Sequence, residues 1–192
     1  VWLGHAPEKF VDRELIAVSV DSLDGRPIAR LFNFGCHNTT LGSANAKISG
    51  DYAGIAMSAL ERELGAVCLC ANGGAGNINP MHRTLADPDD PRVQEVGDRF
   101  AEDARKTLAL PFAPIAPAGV AAMFKDVDLP RKQQGIEAGL GRRKRTRLQA
   151  LRIGDLEILA SPNEIVAEIV AEIKQRSPAR NTLVSGYCYN AT

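Results

Sequence analysis

Apolar and polar positions along the chain alternate in segments that are typical of strands and helices following one another. Residues 14–21 and 27–36 alternate and are rich in β-branched residues, and Asp24-Gly25 between them predicts an antiparallel hairpin. A helix is predicted from about Gly50 to Leu64, followed by a short apolar strand over residues 66–71. Strand, helix and strand in this order favour a parallel crossover, so the hairpin and crossover together predict a mixed β-sheet.

The second half of the chain continues this pattern. Apolar residues recur at three- and four-residue steps from Arg92 to Leu110, which predicts an amphipathic helix. The remaining predicted elements are a strand from Gly119 to Leu129, a hairpin from Leu148 to Ala160, a helix from Pro162 to about Arg176 and a strand from Thr182 to Tyr187. The fold class is therefore predicted to be α/β with flanking helices and with its site at strand carboxyl ends.

Composition agrees with a single α/β domain over residues 1–192. The chain is 45% hydrophobic and 24% charged, which are ordinary values for a globular chain. Its 23 basic residues equal its 23 acidic residues, so no overall charge favours nucleic acid, and no nucleic-acid partner is expected. Because the chain begins at Val1 without Met, we expect it to be a fragment of a larger protein.

One local exception to this neutrality is the glycine-interrupted basic segment 131–147, which is predicted to be an insertion loop. A solvated loop or short helix is the interpretation we favour, because no aromatic residue is interleaved to stack on bases. Contact with a phosphate group or an anionic membrane surface is the functional alternative.

Polar side chains follow the predicted strands directly. His37 comes after the second strand, and Glu164 comes after the last hairpin in what is predicted to be the first turn of a helix. The loop from Asn72 to Pro80 has three glycines in four positions, which allows backbone N–H groups to converge on an anion. Each feature alone has a structural explanation: a hydrogen-bonded histidine, a carboxylate at a helix dipole, or a tight turn.

Four segments together resemble the N-terminal domain of the neutral/alkaline non-lysosomal ceramidases. DRELIAVSVDSLDGRPIARLFNFGCHNTTLG, from Asp12, resembles the strands that precede that family's zinc histidine. ISGDYAGIAMSALERELGAVCLC resembles its "ISADYPG" helix and the strand behind it. NGGAGNINP resembles its "GDxSPN" loop, and LQALRIGDLEILASPNEIVAEIVAEIKQRSP resembles its "GD…PGEPF" hairpin and helix. The four segments occur in the family's order and cover most of the chain outside the basic segment.

The resemblance implies a Zn²⁺-dependent amidase that hydrolyses the N-acyl bond of a ceramide-like lipid. It makes His37 and Glu164 zinc ligands, and Tyr189 the tyrosine ligand, with Tyr187 as the alternative. It also places the catalytic loop at Gly74, Gly76, Asn77 and Asn79. A first zinc histidine is expected upstream of Val1, and the implied partner is a small lipid or amide substrate with peripheral membrane-surface contact. A secreted or periplasmic location is compatible with the resemblance.

The departures from the family pattern leave a second hypothesis open. Asn79 stands where the family has a serine implicated in catalysis, and Asn77 replaces the preceding aspartate. Asparagine can donate a hydrogen bond to an oxyanion but cannot act as a nucleophile. The alternative is therefore a non-catalytic or altered-substrate homologue that keeps the fold and a ligand pocket. A binder of nucleic acid or anionic lipid that uses residues 142–147 is a third hypothesis.

Overall fold

The structure is a computed structural model that describes residue 6 and residues 8–188. Within these residues it contains helices and mixed β-sheets, which confirms the predicted α/β class. The strands are β1 (Ile16–Asp21), β2 (Pro27–Phe34), β3 (Val67–Asn72), β4 (Val120–Pro130), β5 (Arg143–Ile153), β6 (Leu156–Ala160) and β7 (Asn181–Ser185). The helices are α1 (Asp51–Leu64), α2 (Pro91–Leu108), α3 (Gln133–Glu137) and α4 (Ala167–Arg176).

The strands form two sheets rather than one. The first has the order β1-β2-β3, and the second has the order β4-β5-β6-β7. Each sheet combines antiparallel hairpin pairs with one parallel pair, β2 with β3 and β6 with β7. Helices α1 and α4 make the two parallel crossovers, as expected for connections that return a strand to the same direction.

The sheets meet where β7 approaches β2 and β3. Asn33, the second-last residue of β2, is only 3% exposed, and its Nδ2 donates to the carbonyls of Ala71 and Val184 at 3.0 Å each. The Ser185 hydroxyl and the Gly186 amide both donate to the Asn72 carbonyl, at 3.2 and 2.9 Å. Buried polar groups are stable only when paired, so these contacts fix how the carboxyl ends of the two sheets lie against each other.

The main core lies between the first sheet and the α1–α2 pair. Phe32 of β2 and Leu60 of α1 are fully buried, and the Phe100 ring of α2 contacts Tyr52 edge-on with a centroid distance of 5.5 Å. Gly65 ends α1 in the left-handed conformation, with φ of 62°. Asp90 caps α2, and Pro91 follows at the first helical position, where proline is well tolerated.

Two local predictions are wrong at least in part, and the exposure of one strand adds a detail. The basic segment contains the short helix α3, in agreement with one favoured alternative, but its residues from Arg143 onward belong to strand β5 and not to a loop. Helix α4 begins at Ala167 rather than Pro162, which leaves Glu164 in the connection before the helix. Strand β3 is buried on one face only, because Val67 and Leu69 are exposed at the edge of the first sheet. Apolar composition alone did not distinguish a buried strand from an edge strand.

No helix among the described residues combines the length and the apolar character that a membrane span requires.

Two helical glycines provide a matched test of the α1–α2 packing. A Cβ on Gly97 of α2 would lie 2.5 Å from Cγ2 of Ile55, whereas a Cβ on Gly54 of α1 would meet nothing within 4 Å. We expect Gly97→Ala to lower the free energy of unfolding by about 1–3 kcal/mol through overpacking. Gly54→Ala should raise it by about 0.5–1 kcal/mol. Denaturant unfolding measures both values, and equal effects for the two variants would contradict the described packing.

Candidate functional site

The carboxyl ends of four strands come together at one edge of the protein. His37 lies three residues after β2, the glycine loop follows β3, Glu164 lies four residues after β6, and Tyr187 lies two residues after β7. The parallel pairing of β2 with β3 and of β6 with β7 brings these ends to the same side of each sheet. This is the location that the sequence predicted for a site.

A histidine, a tyrosine and a carboxylate converge there. The Tyr187 hydroxyl lies 3.1 Å from Nδ1 and 3.3 Å from Nε2 of His37. The same hydroxyl interacts with the carboxylate of Glu164. Three side chains that are up to 150 positions apart in the sequence therefore form one cluster, in which the phenol contacts the imidazole and the nearby Glu164 carboxylate raises the pKa of the phenol.

Tyr187 has an unusual backbone conformation and a raised pKa. Its φ is 58°, a left-handed conformation that is a genuine outlier for a bulky side chain. Burial, together with the charge of Glu164 and the hydrogen bond to it, raises the pKa of Tyr187 to about 12. Backbone strain and an altered pKa at one residue are both typical of functional positions, which makes Tyr187 a candidate site residue on geometry.

The loop that carries His37 is fixed by two neighbouring residues at the start of α1. Asp51 is 5% exposed, and its carboxylate accepts hydrogen bonds from the backbone amides of Thr40, Leu41 and Tyr52 at 3.2, 2.8 and 2.7 Å. The Tyr52 hydroxyl donates to the carbonyl of Cys36 at 3.0 Å. Contacts on both sides of His37 thus hold its backbone, and the His37 amide itself donates to the Ile78 carbonyl at 3.0 Å.

The glycine loop is packed between the end of β2 and α4. A Cβ on Gly74 would lie 2.5 Å from Cγ2 of Val170, and a Cβ on Gly76 would lie 2.8 Å from the Glu164 carbonyl oxygen. Neither distance leaves room for a side chain, so glycine at these positions permits the close approach of the Glu164 segment to the loop. The Gly76 amide donates to the Ile165 carbonyl at 2.9 Å, so its hydrogen bond is already made within the protein.

The two asparagines of this loop have different surroundings. The Asn77 side chain accepts from the Ala167 amide at 2.9 Å and donates to Glu168 at 2.8 Å, so it caps the N-terminus of α4 from another part of the chain. Asn79 is half-buried, and its Oδ1 accepts from the Thr39 hydroxyl at 3.5 Å. Asn79 is thereby placed beside the His37 loop, whereas Asn77 is used in supporting α4.

The sequence predicted part of this arrangement. His37, Glu164, Asn79 and the glycines lie around one site, but their metal-binding and catalytic roles stay predictions. Tyr189 lies outside the described residues. Asn33, Asp51 and Tyr52 were missed as residues that hold the site together, although Asn33 is a polar residue within an apolar strand, which was an available signal.

The cluster's donor atoms have the chemistry that a zinc ion takes. An imidazole nitrogen and a carboxylate oxygen are ordinary zinc ligands, and the phenol adds a third donor next to both. No group of three His, Cys, Asp or Glu side chains that could hold a metal occurs in the part of the chain that the structure describes. His37 and Glu164 are two of the four ligands of an ordinary tetrahedral zinc site, so the described residues fit zinc only as an incomplete donor set.

The described residues thus define an α/β protein with an imidazole–phenol–carboxylate cluster at the carboxyl ends of its strands. No protein-family model matches the sequence, and no curated protein matches it. Among solved structures, the chain is similar to the neutral ceramidase from Pseudomonas aeruginosa, with a TM-score of 0.72 and 17% identity over 92% of this chain. It is also similar to a structure described as a ceramidase complexed with C2, with a TM-score of 0.71 and 17% identity.

These likenesses show the fold. The chain spans 40% of the length of the first structure and 41% of the second, so it corresponds to less than half of either protein.

A substitution at Asp51 tests how the His37 loop is held. Asp51 has a φ of 54°, and asparagine tolerates this conformation, so Asp51→Asn removes the charge with little change in backbone strain. We expect the free energy of unfolding to fall by about 1.5–3 kcal/mol. The two charged carboxylate oxygens of Asp51 that accept backbone amides are replaced in asparagine by one neutral amide oxygen.

The matched control is Asp89→Asn. Asp89 is exposed, and its carboxylate lies 3.7 Å from Lys47, so its loss should change stability by less than about 0.5 kcal/mol. Equal effects of the two substitutions in denaturant unfolding would mean that the Asp51 carboxylate does not hold the loop.

Proposed function

We propose that this chain is part of a zinc-dependent hydrolase that cleaves the N-acyl amide bond of a ceramide-like lipid. The observation that carries the proposal is the contact of the Tyr187 hydroxyl with His37 at the strand carboxyl ends, where Glu164 is near enough to raise the pKa of the same phenol. The likeness to two ceramidase structures supports the substrate class, and the ordered sequence motifs support it independently.

In this proposal, His37 and Glu164 would hold the metal ion, and the Tyr187 hydroxyl would be a third donor. The proposal gives Tyr187 the role that the sequence resemblance gave to Tyr189, because Tyr187 contacts His37 among the described residues. Bound zinc supplies a Lewis acid that polarises a carbonyl and lowers the pKa of water to about 7. The contacts of Asp51 and Tyr52 keep His37 in position for this role.

The amide of Asn79 is the group proposed to act on the substrate carbonyl. Its Oδ1 accepts from Thr39, which directs the Nδ2 donor away from that contact. An N–H donor fixed beside the reacting carbonyl stabilises the negative charge that develops on its oxygen. Asn79 cannot lose a proton near neutral pH, so attack is assigned to a water molecule rather than to this side chain.

A non-catalytic or altered-substrate homologue is the second candidate. It is favoured by the use of Asn77 as the cap of α4 and by the engagement of the Gly76 amide with Ile165, because both groups were predicted to face the substrate. Such a protein would keep the cluster of His37, Tyr187 and Glu164 without hydrolysing amides.

Metal content and activity together test the zinc proposal. The full-length protein should hold about one zinc per chain and should release fluorophore from an N-acyl substrate, with activity lost to a chelator and restored by zinc. His37→Ala should lose both the metal and the activity, since it removes a ligand.

His82→Ala is the matched control, since His82 lies 3.5 Å from Glu95 of α2 and outside the cluster. It should keep metal and activity. Zinc-free protein that is active, or a His37→Ala variant that keeps its zinc, would refute the proposed metal site. Bound zinc without turnover would favour the second candidate.

The role of Asn79 has its own kinetic signature. Asn79→Ala should lower kcat by about 10²–10³ with a much smaller change in KM, because the donor acts mainly in the transition state. Asn45→Ala, at an asparagine whose Nδ2 donates to the Lys47 carbonyl, serves as the control and should leave both constants unchanged. A kcat for Asn79→Ala within a factor of about two of the parent value would remove Asn79 from the mechanism.

A further inference from the structure

Charge is distributed unevenly over this neutral chain. The β4–β5 hairpin, residues 120–153, contains nine basic and three acidic residues and so has a formal charge of +6. Because the whole chain has a net charge of zero, the remainder carries −6. A charge separation of this size orients a protein near a charged surface, with the hairpin facing an anionic one.

Two of the four basic residues in the base of the described hairpin, outside residues 129–144, form ion pairs within it. Arg147 forms an ion pair with Asp126 at 2.6 Å, and its guanidinium lies 4.6 Å from the Phe124 ring centroid. Arg145 lies 3.9 Å from the same Asp126 carboxylate. These contacts stabilise the hairpin and occupy Arg145 and Arg147.

The hairpin tip, residues 129–144, differs from the base. It contains five basic residues and one acidic residue, Glu137, whose carboxylate accepts from Gln133 on the same short helix. Within residue 6 and residues 8–188, Lys132 and Arg142 form no ion pair. The charges of Lys132 and Arg142 at the tip are therefore not compensated by an ion pair among the described residues.

Exposed apolar side chains lie beside these cations. Leu140 is 57% exposed and Leu129 is 43% exposed. Ile136 of α3, which lies between these two residues in the sequence, is half-buried. Apolar groups next to long basic side chains fit the interface of a bilayer, where aliphatic groups enter the headgroup boundary and cations remain at the phosphates.

We propose that the hairpin tip binds the surface of a membrane that contains anionic lipids. Charge complementarity selects the partner, since the tip is cationic and the rest of the chain is anionic. A membrane fits better than a nucleic acid, because Phe124 is the hairpin's aromatic residue and Arg147 covers its ring. Stacking platforms for bases are therefore lacking within the described hairpin.

The hairpin is connected to the candidate site through β5. The Asn163 side chain donates to the Thr146 hydroxyl at 3.1 Å, and Asn163 directly precedes Glu164. Thr146 is buried, in contrast to the basic residues on either side of it. A tip docked on a membrane would thus place the headgroup surface at the end of the strand that supports the Glu164 segment. The inference extends beyond the proposed hydrolysis, and binding is measured without turnover, so either can fail alone.

Vesicle sedimentation with the full chain tests the proposal. The protein should bind phosphatidylcholine vesicles that contain phosphatidylserine, and should not bind vesicles of phosphatidylcholine alone. Binding should weaken from about 0.1 M to about 1 M NaCl, as the Debye length falls from about 10 Å to about 3 Å. The triple variant Lys132→Gln, Arg142→Gln, Arg143→Gln should reduce partitioning about 100-fold.

The matched control removes the same charge elsewhere, through Arg13→Gln, Arg62→Gln and Arg180→Gln at exposed positions. It should bind phosphatidylserine vesicles as tightly as the parent. Leu140→Ser should weaken binding without changing its salt dependence, because it removes an apolar contact only. Circular dichroism and thermal unfolding verify that each variant is folded.

Three results would overturn the proposal. The first is an absence of binding to phosphatidylserine vesicles. The second is an equal loss of binding in the tip variant and the control variant, which would indicate a non-specific charge effect. The third is binding to single-stranded RNA that is tighter than binding to vesicles and is lost in the tip variant, which would assign the tip to nucleic acid.

Discussion

The Asp51 carboxylate holds the loop on which the candidate site depends. It accepts three backbone amides while buried, and a buried carboxylate is stable only when its oxygens are satisfied in this way. The same contacts hold the loop that leaves β2, and Tyr52 fixes that loop's beginning through the Cys36 carbonyl. His37 lies between these anchors. The first turn of α1 therefore determines where the imidazole can lie.

A second constraint is the junction of the two sheets. Asn33 bridges β2, β3 and β7, and Asn72 accepts hydrogen bonds from Ser185 and Gly186. Tyr187 directly follows Gly186, so the junction delivers its hydroxyl to His37 and Glu164. Each sheet supplies part of the cluster, and neither sheet alone would form it.

The sequence predicted elements whose stabilising contacts are local. The hairpin at Asp24-Gly25, the amphipathic α2 and the end of α1 at Gly65 all follow from nearby residues. The start of α4 did not, because its cap is the Asn77 side chain, which is 90 positions away from Ala167. Pro162 had suggested an earlier start by its local preference alone. The candidate site shows the same contrast between local and distant contacts. The positions of His37 and Glu164 were predictable because both follow predicted strands, whereas the positions of Tyr187 and Asn33 depend on contacts between the two sheets.

The proposed zinc site consists of His37, Glu164 and Tyr187. The most direct measurement is a zinc-edge anomalous difference map from crystals of the full-length protein. We predict one peak about 2.0–2.2 Å from an imidazole nitrogen of His37 and from a Glu164 carboxylate oxygen, with the Tyr187 hydroxyl beside it. A zinc peak elsewhere in the protein, or no peak at this cluster in zinc-loaded crystals, would contradict the proposed site.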